Sequence, residues 1–96
     1  MEKVLNVAQF IFDEYKKTSG SAIDEMKLHK LLYFSQREYL AILNEPLFSE
    51  DFEGWKYGPV CRAVRSEYTQ DGLACDTSSI SNGAAYIVRS ILEQYG

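Results

Sequence analysis

The sequence predicts a mainly α domain: a compact bundle of about four helices, with a short extended segment or small hairpin before the third. Three observations predict it. Apolar residues recur at helical spacing in three long stretches of the 96-residue chain. Gly, Pro, Ser and Asp punctuate the gaps between them. An aromatic and acidic stretch, Leu47 to Tyr57, keeps no helical period and ends on Gly58-Pro59.

The first helix is expected over Lys3 to Lys17, with Val4, Val7, Ala8, Ile11, Phe12 and Tyr15 on one stripe. Lys16 and Lys17 suit the negative end of its dipole, and Thr18-Ser19-Gly20-Ser21 breaks it. The second should run from Asp24 to Leu43, close to 30 Å at about 1.5 Å per residue. Asp24 is the expected N-cap and Glu25 favours the first turn. Its buried stripe is Leu28, Leu31, Leu32, Tyr39, Ile42 and Leu43, with Ser35 allowing close helix approach. Pro46 ends it, because the residue before a proline avoids helical geometry.

Gly58-Pro59 gives a sharp entry to a third helix over Pro59 to Gln70, with Pro59 at or near its first position. Val60, Ala63, Val64 and Tyr68 face inward there, and Asp71-Gly72 stops it. Ala74 to Ile80 is a polar connection. Ser81 caps a fourth helix whose stripe is Ala84, Ile87, Val88, Ile91, Leu92 and Tyr95.

Composition narrows the function classes. A chain of 96 residues with 46% hydrophobic content supports one modest core. The 14% aromatic share lets that core bury much area per side chain. A net charge of −4, with basic residues dispersed, argues against general nucleic-acid binding. Met1-Glu2-Lys3 opens no signal peptide, and no apolar run nears the roughly 20 residues that span a bilayer. Two cysteines make no disulfide framework. These features point to a cytoplasmic protein with reduced thiols.

Several residues invite a chemical reading. Trp55 and Tyr57, two apart, point to one side if extended. Either both rings plug the gap between the second and third helices, or they anchor a partner, as Trp and Tyr often do at interface hot spots. Gly58 reads as a turn that a Cβ would crowd. Lys30, inside a leucine-rich helix, either snorkels to water or is a fixed cation. In the second case it pairs with the acidic loop Glu50–Glu53 or with a partner's carboxylate. His29, the one histidine, reads as solvated or hydrogen-bonded.

His29, Cys61 and Cys75 are at best three ligands without metal-site spacing, so neither a metal nor a cofactor is expected. Cys61 reads as an inert thiol with no evident base partner. Glu50, Asp51 and Glu53 read as a solvated loop, or as an acidic rim that steers a basic partner. No set of residues assembles into a catalytic group, and no enzyme activity is expected.

Three elements carry a family resemblance: Lys27-Leu28-His29-Lys30-Leu31-Leu32-Tyr33, then Pro46-Leu47-Phe48, then Trp55-Lys56-Tyr57-Gly58-Pro59. Their order and spacing resemble the Panacea domain family, the SocA-like antitoxin and phage-associated group. The similarity runs from about Val4 to Gly96, making residues 1–96 a single domain of that kind. The resemblance implies a non-catalytic interaction domain, the antitoxin of a bacterial or phage toxin–antitoxin pair, that neutralises a small toxin protein by direct binding. It also implies alternatives: a proteolytic adaptor delivering a partner to a cellular protease, or a phage-associated protein with an enzymatic or DNA-binding regulatory role. The positions it marks as partner-binding are Lys30, Tyr33, Trp55, Lys56, Tyr57, Gly58 and Pro59. Members continue beyond the point matched by Tyr95-Gly96 with a further helical stretch, which this chain is expected to lack. Apolar surface left exposed by that difference is expected to favour a homodimer.

Overall fold

In a computed structural model, which describes every residue except Ala74, Asp76 and Gly96, four helices and one hairpin follow in order. They are α1 (Val4–Ser19), α2 (Glu25–Leu43), β1 (Glu53–Trp55), β2 (Gly58–Val60), α3 (Arg62–Glu67) and α4 (Asn82–Tyr95). The mainly α bundle with a small hairpin before its third helix is the architecture expected. The expected connection over 74–80 falls partly on residues outside those described.

Local chemistry sets most of the boundaries. Helix α1 absorbs Thr18 and Ser19, because Thr18 Oγ1 donates back to the Glu14 and Tyr15 carbonyls. It stops at Gly20, whose φ of 81° is cheap only without a Cβ. Asp24 caps α2 by accepting the Lys27 N–H at 2.7 Å, and Asn44 closes that helix at φ 59°. Ser81 Oγ accepts the Ala84 N–H at 3.1 Å at the start of α4.

Helix α2 is the central element and packs on α1, α4 and β2. The core joins Val7, Ile11 and Phe12 of α1, Leu28, Leu31 and Leu32 of α2, and Ile87, Val88 and Ile91 of α4. Each such side chain contributes about 1.5–3 kcal/mol of burial. Ser35 is fully buried and turns its hydroxyl onto the Leu31 carbonyl at 2.8 Å, leaving room for a neighbour.

Two glutamines bind loops to helices. Gln36 accepts the Leu47 N–H at 2.7 Å and donates to the Phe48 carbonyl at 2.8 Å. That pins residues 47 and 48, both buried, against α2. Buried Gln9 accepts the Leu73 N–H at 2.6 Å and lies directly under Gly72.

Three expectations require correction. Pro59 does not open a helix: it pairs with Gly54 inside β2, and α3 spans only Arg62–Glu67. The reason is strand pairing, which places Gly58 at φ 127° and carries extended backbone through Val60 to Cys61. Ile42 and Leu43 are 60% and 45% exposed, because the last turn of α2 runs past the core. Tyr95 is also half exposed, with one ring face stacked on Phe34 at 4.4 Å.

Candidate functional site

The hairpin stands against α2, and most of the sequence-marked residues meet there. Lys56 and Tyr57 form its two-residue turn. The backbone strain of the turn falls on Gly58, since Asn44 alone has positive φ among the described non-glycine residues. A Cβ on Gly58 would lie 3.8 Å from Lys30 Cε, an ordinary contact. Its glycine is therefore required by conformation; the expected crowding is absent.

Two clefts meet along a seam made by Tyr33 and Pro59. The first, about 590 Å³, runs along α2 past Met26, Lys30, Leu31 and Phe34 to Tyr95. The second, about 400 Å³, lies over the hairpin, among Phe52, Gly54, Trp55 and Gly58. Tyr33 meets Phe52 edge-on at 5.3 Å, which fixes the wall between them. Five of the seven marked residues thus line this double cleft. Lys56 and Tyr57 do not; they project at the hairpin tip, with the ammonium 5.4 Å from its neighbour's ring centre.

Trp55 and Tyr57 do not plug the interhelical gap. Their exposures are 40% and 68%. Leu47 and Phe48, in contrast, are buried in the core. Trp55 is nevertheless held. Its indole N–H donates to Glu53 at 3.0 Å, and the Arg65 guanidinium lies 4.6 Å from its ring centre. Arg62 pairs with the other Glu53 oxygen. The Trp55 indole first, then the charge and hydrogen bond of Arg62, hold the Glu53 carboxyl below the usual carboxylate range.

The Arg65 contact leads inward. Arg65 donates to Glu25 at 3.2 Å, and the same carboxylate oxygen lies 3.0 Å from His29 Nε2. Nδ1 of buried His29 accepts the Cys61 backbone N–H at 3.3 Å. A backbone N–H can only donate, so the imidazole carries its proton on Nε2 and gives it to Glu25. The chain of contacts runs from the exposed Trp55 ring through Arg65, Glu25 and His29 to the start of α3.

This arrangement is not that of a nucleophile and base. His29 addresses the Cys61 backbone rather than its sulfur, and burial pushes the thiol pKa up. Glu50 adds to that shift and keeps one buried carboxylate oxygen without a hydrogen-bond partner among the described residues. The acidic stretch is therefore no uniform solvated rim: Glu50 turns inward and Glu53 is tied up by Arg62 and Trp55. No carboxylate pairs with Lys30 among the described residues, so of the two readings of Lys30 the link to that loop does not form.

Among the described residues no group of three His, Cys, Asp or Glu is placed to hold a metal ion. No helix among the described residues is long and apolar enough to cross a membrane. Sequence reasoning missed Arg62, Arg65 and Glu25 as parts of this surface. The spacing of Arg62 and Arg65 on one helical face was visible, but their target on the hairpin was not.

Comparison with known proteins gives a consistent picture. A family model described as "Antitoxin SocA-like, Panacea domain" matches residues 28–94, which take in α2 from Leu28 onward, the hairpin, α3 and α4 as far as Gln94. Antitoxin SocA of Caulobacter vibrioides (strain NA1000 / CB15N) is 38% identical over 50 residues. That match takes in 52% of this chain and 27% of the relative, so it spans just over a quarter of that protein's length. No solved structure matches the chain.

Proposed function

Because the chain belongs to the SocA-like Panacea domain family, we propose that it is the antitoxin of a toxin–antitoxin pair, acting by direct, non-catalytic binding of a small toxin protein. The observation that carries this reading is the hairpin surface. Two large aromatic side chains, Trp55 and Tyr57, are exposed there, and the first is locked in place by Glu53 and Arg65. An aromatic ring that is held before binding loses little freedom when a partner covers it. Trp, Tyr and Arg are also the residue types that dominate interface energetics.

In this reading Trp55 and Tyr57 are anchors, and the Tyr33–Pro59 seam receives side chains of the toxin. Lys30 meets a toxin carboxylate. Gly58 and Pro59 hold the hairpin in shape, and Lys56 contributes charge at its tip. Neutralisation is stoichiometric, since occluding the toxin's working surface consumes one antitoxin for each toxin.

The test is co-expression with the small open reading frame adjacent to the gene. The expected result is a neighbour that arrests growth alone, with rescue and co-purification when this chain is present. A harmless neighbour, or rescue without a complex, would overturn the reading.

A further inference from the structure

We infer that the free chain forms a two-fold dimer through α2, with the stacked rings of Phe34 and Tyr95 at the axis and Lys30 of each copy paired to Glu38 of the other. The inference does not rest on the toxin reading. Because that reading also uses Lys30, toxin and second copy exclude one another there.

The open side of α2 holds two clefts that meet at Phe34 and Tyr95. One is the cleft of about 590 Å³ toward Met26 and Lys30. The other, about 210 Å³, continues past Arg37, Glu38 and Ala41 to Ile91. Between them the Phe34 and Tyr95 rings stack at 4.4 Å, and Tyr95 stays half exposed. A held aromatic pair at the centre of an open surface is the kind of feature around which interface energy concentrates.

The charges along these clefts identify the occupant. Asp24, Lys27, Lys30, Arg37 and Glu38 line them. Three are engaged within the chain: Asp24 caps α2, Lys27 lies over the Tyr15 ring and Arg37 over the Tyr33 ring. Lys30 and Glu38 are left, one of each sign, and neither joins an ion pair among the described residues. They lie four residues before and four residues after Phe34. That separation is about 12 Å of helix, so they serve opposite ends of the surface rather than each other.

A half-turn about an axis through Phe34, perpendicular to α2, reverses the helix and exchanges positions equally distant from Phe34. Lys30 then faces Glu38 of the second copy, and Glu38 faces that copy's Lys30. One surface thus satisfies itself, as an isologous contact requires. The same half-turn sets Met26 opposite Ile42, and both are exposed. Met26, Lys30, Phe34, Glu38 and Ile42 are spaced by four and form a single row on the helix. Rows of this kind lie parallel when two helices cross at about 50°, the commonest packing of helices. A ligand of uniform charge fits less well, because it would set its own sign against either Lys30 or Glu38.

A contact built on one helix row falls toward the small end of interface sizes, below about 1,200 Å² in total, where association is weak. The test is therefore sedimentation equilibrium of the full chain from about 10 µM to about 1 mM at low salt. The expected result is a mass that climbs from monomer toward dimer across that range. Lys30→Glu and Glu38→Lys, each confirmed as folded by its melting curve, should each weaken self-association at least about tenfold. An equimolar mixture of the two variants should restore it, since every opposed pair then joins a lysine to a glutamate again. In a half-labelled sample of the parent, an isotope-filtered NOE between Phe34 or Tyr95 rings of different copies should mark the axis even if a variant fails to fold. A chain that stays monomeric throughout overturns the proposal, as does a dimer without that NOE. Folded single variants that associate like the parent, or a mixture that stays monomeric where the parent dimerises, overturn it equally.

Discussion

Lys30 runs its aliphatic stem past Gly58, with 3.8 Å between Lys30 Cε and the place a Gly58 Cβ would take. The contact is loose enough to admit a methyl group. What excludes one is the φ of 127° at Gly58, a region closed to other L-residues.

Gly58→Ala is therefore expected to destabilise the fold by about 1–3 kcal/mol through backbone strain. Gly54→Ala, which meets only open space, should stay within about 0.5 kcal/mol of the parent. Urea midpoints of the two variants measure the contrast. Equal midpoints would show that the hairpin relaxes at no cost.

His29→Ala removes the acceptor of the Cys61 N–H and leaves that donor buried beside a cavity. The expected loss is about 2–4 kcal/mol. Glu25→Gln keeps an acceptor for the imidazole and should cost under about 1 kcal/mol. Chemical denaturation of both variants orders the two effects. Amide exchange at Cys61 should accelerate in His29→Ala even under conditions where the protein remains folded.

How much of this was legible in the sequence follows from the range of the forces involved. The stripes of α1 and α4, the Asp24 and Ser81 caps, and the stop at Gly20 are local, and each was readable. The exposure of Ile42 and Leu43 was not, because a helical stripe says which face is apolar and not what covers it. Pro59 at a helix start and Pro59 in an edge strand satisfy the same local rule; pairing with Gly54 decided between them. At the candidate site, Lys30, Tyr33, Trp55, Gly58 and Pro59 do gather around one seam. The Arg65–Trp55 stack and the His29–Cys61 bond that brace it join residues whose proximity only the tertiary fold creates.

Glu14 joins α1 to α4 through Arg89 at 2.9 Å and also accepts Lys17 at 3.0 Å. Burial pushes its carboxyl up, but hydrogen bonds and charge from Arg89 and Lys17 outweigh this and leave its pKa lowered. A depressed carboxyl contributes fully above its unfolded value, about 4.3, and loses that contribution as pH falls through the folded value. The parent should accordingly exceed Glu14→Gln in urea midpoint at pH 7, with the gap closing toward pH 3. A gap that widens in acid would reverse the assignment.

Trp55 and Arg65 separate binding from folding most cleanly. Trp55 is 40% exposed and outside the buried core, so Trp55→Ala should leave thermal unfolding close to that of the parent. A central aromatic anchor, in contrast, loses about 2 kcal/mol or more of binding when truncated, near thirtyfold in affinity. Arg65→Lys keeps the charge but gives up the planar stack on the indole, so its loss should be intermediate. Calorimetric titration of each folded variant with the toxin recovered from co-expression measures the series. If Trp55→Ala binds as the parent does, the contact surface lies away from the hairpin, and the cleft along Lys30 and Phe34 becomes the surface to mutate next.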